Sequence, residues 1–206
     1  NDANINRAVE SAVFGGLSNA GQTCISTEEL YVEEKIYEDF VAKISNKIKN
    51  IRSGLNGDYG TMIIDDNAKK VNEHIEDARK NCQIIEGKTD DKNSFIAPAL
   101  VLEPSEDSLI VNEETFGPVI SVRKFNSTED LIKKIHKTGY GLSSSIFGRD
   151  KKKIDEIVKK LKIGTVSIND VLTHYGIASI PFGGEGLSGM GRMHGREGLR
   201  SLSRTK

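Results

Sequence analysis

The chain has 206 residues, and its 29 Lys plus Arg against 30 Asp plus Glu give a net charge of −1. This balance excludes the basic surface by which proteins bind nucleic acids or anionic membranes. The length allows one domain with a buried core, and the two cysteines, Cys24 and Cys82, are too few for a disulfide scaffold and favour a reducing, cytoplasmic location.

The first half of the chain alternates helix-like and strand-like patterns. The periodicity of apolar residues predicts a helix over 5–13, a strand around 30–32, a helix over 40–51, a helix over 65–78 and a strand over 82–85. Asp2 or Asn4 can cap the first helix, which Gly15-Gly16 should end, and Asp65 or Asp66 can cap the third. No apolar run approaches the roughly 20 residues that a membrane helix needs.

The second half continues the alternation. A polar turn over 90–94 precedes an extended segment over 95–102, a strand over 119–122, a helix over 128–135, a strand over 144–147, a helix over 154–161, a strand over 165–168 and a short helix over 197–202. Pro98 argues for an edge position of its segment, because proline cannot donate to a sheet. The pattern predicts an α/β fold, a largely parallel sheet covered by helices.

One stretch stands out chemically, Asn19-Ala20-Gly21-Gln22-Thr23-Cys24. A thiolate is a strong nucleophile, and backbone amides at a tight bend can hold an oxyanion beside it. Taken alone, the stretch fits a small buried hydrophobe better than a nucleophile, because unpaired cysteines are often buried. Cys82 closes a helix or opens a strand, belongs to no motif, and is interpreted as structural.

Two further motifs extend this pattern. They are Glu113-Glu114-Thr115-Phe116-Gly117-Pro118-Val119, and Pro181-Phe182-Gly183-Gly184 followed by Ser188-Gly189-Met190-Gly191-Arg192. Together with Cys24, in this order and separation, they resemble the active-site segments of the NAD(P)-dependent aldehyde dehydrogenases. The resemblance covers essentially the whole chain. It implies that residues 1–206 form a single catalytic domain, the C-terminal catalytic portion of such an enzyme, without its Rossmann-type cofactor domain, general base and oligomerisation arm.

The resemblance also implies roles for individual residues. Cys24 would attack a small-molecule aldehyde, pass through a thiohemiacetal that gives a hydride to NAD or NADP, and form a thioester that water hydrolyses to the carboxylate. Glu114 would hydrogen-bond the nicotinamide ribose, Phe116 would pack beside the nicotinamide, and Phe182 would line the substrate tunnel. Without the resemblance, Glu114 is an ordinary surface acid and the two phenylalanines are ordinary core residues. The full-length protein is expected to be a homo-oligomer.

Two features bear on the alternatives. The four histidines are scattered, so a metal site is not expected, and His174 is interpreted as a solvated loop residue. No nearby residue in the sequence is an evident base for Cys24. The alternative function is therefore a folded thiol-bearing domain with no turnover of its own, or a weak Cys24-dependent esterase.

Overall fold

The computed structural model describes residues 2–90 and 94–204. The helices of these residues are α1 Ile5–Leu17, α2 Tyr37–Asn50, α3 Asp65–Arg79, α4 Leu109–Asn112, α5 Thr128–Lys137, α6 Lys151–Lys160 and α7 Gly195–Ser201. The strands are β1 Glu29–Glu33, β2 Arg52–Ser53, β3 Gln83–Glu86, β4 Lys88–Thr89, β5 Ala99–Leu102, β6 Val119–Phe125, β7 Tyr140–Gly141, β8 Ser143–Ile146, β9 Thr165–Ile168 and β10 Glu185–Gly186. They fall into two compact units, residues 5–127 and residues 2–4 with 128–204.

The first unit is built on a four-stranded sheet in the order β1-β6-β5-β3. β6 pairs in parallel with β1 and β5, and only β3 runs antiparallel. The first five residues of β6 are all buried, as expected of a central strand covered on both faces. Ile44 and Ile48 of α2 and Val71 of α3 have no exposed surface and complete the core. The prediction of a largely parallel sheet covered by helices is confirmed.

Two predictions about the ends of elements in this unit are wrong. α1 runs through Gly15-Gly16 to Leu17 instead of ending there. A Cβ on Gly16 would lie 2.4 Å from Cδ1 of Ile120, so this glycine lets the helix approach the sheet. The segment containing Pro98 is not at an edge, since β5 lies between β6 and β3. Pro98 precedes the first residue of β5, so its missing N–H removes no hydrogen bond between β5 and its neighbouring strands.

Of the predicted helix caps, that of α3 is wrong, whereas that of α1 by Asp2 or Asn4 stays a prediction. The Asp2 carboxylate accepts the N–H groups of Arg149 and Asp150, both at 2.7 Å. Asp65 and Asp66 lie inside the first turn of α3, whose N-cap position makes no side-chain cap bond. In that turn their negative charges still favour the helix electrostatically. Of the predicted polar turn over 90–94, residues 91–93 lie outside the described residues.

The second unit contains two short sheets. β8 and β9 are parallel, and β7 and β10 are antiparallel. The Asp150 side chain caps α6 by accepting the N–H groups of Lys152 at 3.0 Å and Lys153 at 3.2 Å. Ile154 and Ile157 of this helix are buried. The prediction that residues 1–206 form a single domain stays a prediction.

Candidate active site

The turn before Cys24 has an uncommon backbone conformation. Asn19 and Ala20 both have a φ of 55°, in the left-handed region that residues other than glycine rarely adopt. The Asn19 side chain donates to the Gln22 carbonyl at 3.0 Å, and the Gln22 N–H donates to the Asn19 carbonyl at 3.1 Å. These reciprocal bonds hold the bend that presents Cys24.

Gln22 also ties this turn to the loop before α3. Its Nε2 donates to the Asn19 carbonyl at 3.0 Å, while its Oε1 accepts the N–H of Ile63 at 2.9 Å. The residue is buried, so both ends of its amide are satisfied within the protein. The turn is thereby anchored to the interior of the unit.

Gly21 brings the same turn against the 113–119 motif. Its φ is 71°, and a Cβ at this position would lie 2.0 Å from the carbonyl oxygen of Gly117. Non-bonded atoms cannot approach so closely, and the obstacle is backbone rather than a mobile side chain. The cysteine turn and the second motif are therefore in direct backbone contact, which requires glycine at position 21.

Cys24 is exposed, whereas Cys82 is half-buried. Within residues 2–90 and 94–204, no group accepts a hydrogen bond from the Cys24 N–H and no side chain bonds its sulfur. The N–H of the preceding residue, Thr23, already donates to the Gly21 carbonyl oxygen at 3.0 Å. An exposed thiol beside an available N–H can add to a carbonyl carbon and stabilise the oxyanion that forms.

The second motif places Glu114 and Phe116 on either side of a buried residue. Thr115 is 2% exposed, Glu114 is exposed, and Phe116 is half-buried with a φ of 54°. In the described part of the chain, the Glu114 carboxylate has no hydrogen-bond partner. Its oxygens are therefore available to the hydroxyl groups of a ligand.

The Glu28 carboxylate holds this motif from the interior. One oxygen accepts the Thr115 N–H at 2.9 Å and the other accepts the Phe116 N–H at 2.8 Å. Burial raises the pKa of Glu28 above its ordinary value, and the nearby Glu114 charge raises it further. The hydrogen bonds from the Thr115 and Phe116 N–H groups and the charge of Lys70 lower this pKa in part. The carboxylate lies four residues after Cys24, so it links the cysteine segment to the second motif.

Two residues one turn apart on α3 support the same motif. Lys70 Nζ donates to the Glu114 carbonyl at 2.7 Å, and His74 Nδ1 lies 3.0 Å from Thr115 Oγ1. His74 is 1% exposed. Burial lowers the pKa of His74 and the Lys70 charge lowers it further, while Glu113, with Oε2 3.7 Å from Nε2, acts in the opposite direction. The imidazole is therefore neutral near pH 7.

The adjacent acid, Glu29, has different partners. Its carboxylate accepts the Tyr31 hydroxyl at 2.6 Å. Burial raises the pKa of Glu29, and the Tyr31 bond and the Arg123 charge oppose that rise. Arg123 itself pairs with Glu106. Glu29 thus resembles Glu28 in burial and charge but makes no hydrogen bond to the 113–119 motif within the described residues.

Phe182 belongs to the second unit and lies in an aromatic cluster. It is 5% exposed, meets Tyr175 edge-on with ring centroids 5.0 Å apart, and has the rings of His174 and His194 at 6.1 Å and 5.9 Å. Its backbone exchanges two hydrogen bonds with Met193, at 2.8 Å and 2.6 Å. These contacts fix the ring within its loop.

The interpretation of His174 as a solvated residue is wrong. His174 is 8% exposed, and its Nδ1 lies 3.1 Å from Ser167 Oγ. Burial lowers the pKa of His174, and the Asp170 charge opposes the effect. The sequence could not reveal this, because the covering ring of Phe182 comes from a position eight residues further along the chain.

A model of the aldehyde dehydrogenase family matches residues 1–206. The chain belongs to the aldehyde dehydrogenase family. It is 33% identical over 204 residues to 4,4'-diapolycopene aldehyde oxidase of Methylomonas sp, across 98% of this chain and 38% of that protein. It is 31% identical over 209 residues to 4,4'-diaponeurosporen-aldehyde dehydrogenase of Staphylococcus aureus, across 99% of this chain and 45% of that protein.

A solved structure gives the same result. Betaine aldehyde dehydrogenase of Staphylococcus aureus, determined in complex with NAD+, superposes with a TM-score of 0.90 at 31% identity, over 98% of this chain and 42% of that chain. The predicted family and fold class are therefore confirmed. The chain spans less than half the length of these aldehyde dehydrogenases, and its correspondence to their C-terminal portion stays a prediction.

The motifs of this family did not reveal three residues of the site, Glu28, Lys70 and His74. A weak signal existed for His74, which lies three residues after Val71 and therefore on the apolar face of α3. Glu28 and Glu29 form an acidic pair directly before an apolar strand, which is unusual for solvated residues. Neither signal identifies a partner, because all the partners are distant in sequence.

Two further properties concern membranes and metals. Among residues 2–90 and 94–204 there is no helix with the length and apolar character needed to span a bilayer. The same residues contain no group of three or more His, Cys, Asp or Glu side chains arranged to hold a metal ion.

Proposed function

We propose that this member of the aldehyde dehydrogenase family oxidises an aldehyde to a carboxylate, with Cys24 as the nucleophile and NAD or NADP as hydride acceptor. The observation that carries the proposal is the placement of an exposed Cys24, with its own N–H available, on a turn in backbone contact with the Glu114 and Phe116 motif. A nucleophile, an oxyanion donor and a carboxylate for a cofactor hydroxyl then belong to one compact unit.

Cys24 performs the covalent steps. Its thiolate adds to the aldehyde carbon, and the carbonyl electron pair becomes an oxyanion that accepts from the Cys24 N–H. A bound nicotinamide cofactor would supply the hydride acceptor for this thiohemiacetal carbon, held by Glu114 and Phe116. The oxyanion collapses to a thioester on Cys24, and water then releases the carboxylic acid and restores the thiol. Activation of this water needs a base. Deprotonation of the thiol needs one as well, and within the described residues no side chain hydrogen-bonds the Cys24 sulfur.

Glu114 and Phe116 fit the nicotinamide end of such a cofactor. The Glu114 carboxylate is exposed and unpartnered within the described residues, so it can accept from both hydroxyls of a ribose at once. Phe116 offers a half-buried ring on the neighbouring position. The backbone of both residues is held by Glu28 and Lys70, which orients them before any ligand arrives.

Phe182 supplies the proposed wall of the substrate tunnel. Its ring is fixed by the surrounding aromatic cluster, and an aromatic wall suits an apolar aldehyde tail. The relatives are named for different aldehydes, 4,4'-diapolycopene aldehyde, 4,4'-diaponeurosporen-aldehyde and betaine aldehyde. We therefore propose small-molecule aldehydes as the substrate class. We also propose that the complete protein is a homo-oligomer in the cytoplasm and that residues 1–206 form its catalytic portion.

Nicotinamide absorbance tests the proposal directly. The complete protein should reduce NAD or NADP when an aldehyde is added, and Cys24→Ser should abolish the signal, whereas Cys82→Ser should retain it. The competing function, a thiol-bearing domain or weak esterase, has support in the lack of a base bonded to Cys24 within the described residues. Cleavage of p-nitrophenyl acetate by the complete protein without any nicotinamide reduction would favour that alternative and refute the dehydrogenase proposal.

A further inference from the structure

Glu28 occupies an unusual position between the two halves of the candidate site. Along the chain it follows Cys24 by four residues and directly precedes β1. Across the fold, its two carboxylate oxygens each accept one backbone N–H of the second motif, those of Thr115 at 2.9 Å and Phe116 at 2.8 Å. Charge-assisted bonds from one carboxylate to two consecutive amides fix both distance and direction.

The segment that Glu28 holds needs such support. Phe116 has a φ of 54°, a conformation that an aromatic residue adopts only when its surroundings impose it. Glu114 precedes the held pair, so the peptide planes that Glu28 fixes also set the direction of its side chain. Removal of the two bonds would let Phe116 relax toward negative φ and would turn Glu114 with it.

We propose that Glu28 is a positioning residue, which sets the Glu114 carboxylate and the Phe116 ring relative to the Cys24 sulfur for hydride transfer. The inference rests on the proposed function, since it concerns the placement of the nicotinamide. Glu28 touches neither substrate nor cofactor in this role. It acts through the backbone of residues 115 and 116.

The charges around Glu28 make this role dependent on pH. Burial raises the pKa of Glu28 and Glu114 raises it further, whereas its two N–H bonds and Lys70 of α3 lower it. The neighbouring acid, Glu29, is the first residue of β1 and is half-buried like Glu28. Protonation would remove the charge and convert one accepting oxygen into a hydroxyl donor, so one of the two bonds would be lost. Hydride transfer should therefore decline as the pH falls through the raised pKa of Glu28.

The test compares Glu28→Gln with Glu29→Gln in the complete protein. Both changes replace a half-buried carboxylate with an amide of the same shape, but only Glu28 bonds the second motif. Hydrogen exchange read by mass spectrometry should show faster exchange in the peptide containing Thr115 and Phe116 for Glu28→Gln, and wild-type exchange there for Glu29→Gln. This measurement needs neither cofactor nor turnover.

Kinetics supply the functional measurement. Since a misplacement of about 1 Å can cost about 10²-fold in rate, single-turnover hydride transfer should fall by up to about that factor in Glu28→Gln. The isotope effect with a deuterated aldehyde should rise, because hydride transfer becomes rate-limiting, while the KM for aldehyde and the alkylation rate of Cys24 stay at wild-type values. The acid-side decline of the pH profile should also disappear in this variant.

The possible results separate the two proposals. Unchanged exchange of the Thr115 and Phe116 peptide in Glu28→Gln would overturn the inference at its structural basis. Faster exchange with unchanged hydride transfer would show that Glu28 is structural only. Equal losses of hydride-transfer rate in Glu28→Gln and Glu29→Gln would show that the effect is a general destabilisation, and would contradict the positioning role. A wild-type protein that reduces no NAD or NADP with any aldehyde would instead refute the proposed function, and the positioning role with it.

Discussion

A single methyl group at Gly21 should damage both the stability and the geometry of the site. In Gly21→Ala the new Cβ would lie 2.0 Å from the Gly117 carbonyl oxygen and 2.4 Å from its carbonyl carbon. Such contacts do not occur below 3.0 Å, so the turn must move by about 1 Å. The φ of 71° adds the cost of a left-handed alanine, about 1–2 kcal/mol.

The expected magnitude follows from these two effects together. We expect the free energy of unfolding to fall by about 2–4 kcal/mol, a size typical of backbone strain and overpacking in a core. Because Cys24 lies three residues further on, a shift of about 1 Å should also slow the covalent step by about 10²-fold. The reaction of iodoacetamide with the exposed sulfur should change much less, since it requires no alignment with other groups.

Gly60→Ala is the matched control. A Cβ at Gly60 meets no atom within 4 Å, and this glycine is not among those with positive φ. Urea unfolding should therefore place Gly60→Ala within about 0.5 kcal/mol of wild type. If the two variants have the same stability and the same single-turnover rate, the argued contact between the cysteine turn and Gly117 does not exist.

Three other outcomes are expected from the exposure and charge of individual side chains. Iodoacetamide with peptide mapping should label exposed Cys24 faster than half-buried Cys82, and equal rates would remove the assignment of the nucleophile. Glu114→Gln should slow single-turnover hydride transfer more than it raises the KM for aldehyde, whereas an unchanged rate would make Glu114 a surface acid. Burial lowers the pKa of His74, so the unfolded chain binds this proton more tightly. The free energy of unfolding should therefore fall as the pH decreases below about 6.5, and His74→Gln should lessen that slope.

The fold was largely predictable because local patterns and tertiary structure agree over most of this chain. The apolar periodicity of α2, α3, α5 and α6 placed them correctly, and the apolar run after Pro118 is the central strand β6. The errors occurred where a residue serves packing instead of its usual local role. Gly16 admits the side chain of Ile120 rather than ending a helix, and Pro98 precedes a central strand rather than marking an edge.

The candidate site was predictable only in part, for a different reason. Cys24, Glu114, Phe116 and Phe182 lie in motifs that are continuous in sequence, so a resemblance could propose roles for them. Glu28 acts on amides 87 and 88 residues further along the chain. No local pattern encodes such a partner, because the pairing exists only once β1 lies beside β6. Residues that hold a site in place through distant contacts are thus harder to predict from the sequence than the motif residues of the site.

Backbone strain connects these observations. Asn19, Ala20 and Phe116 are three of the residues other than glycine that have positive φ, and they lie on the two segments that meet at Gly21 and Gly117. Each such residue costs about 1–2 kcal/mol unless its surroundings compensate. Gln22 compensates on the cysteine turn and Glu28 on the second motif, both through partly buried hydrogen bonds to backbone groups. The strained conformations persist because polar side chains from the interior hold them, and the exposed Cys24 and Glu114 are therefore presented by backbone that cannot relax independently.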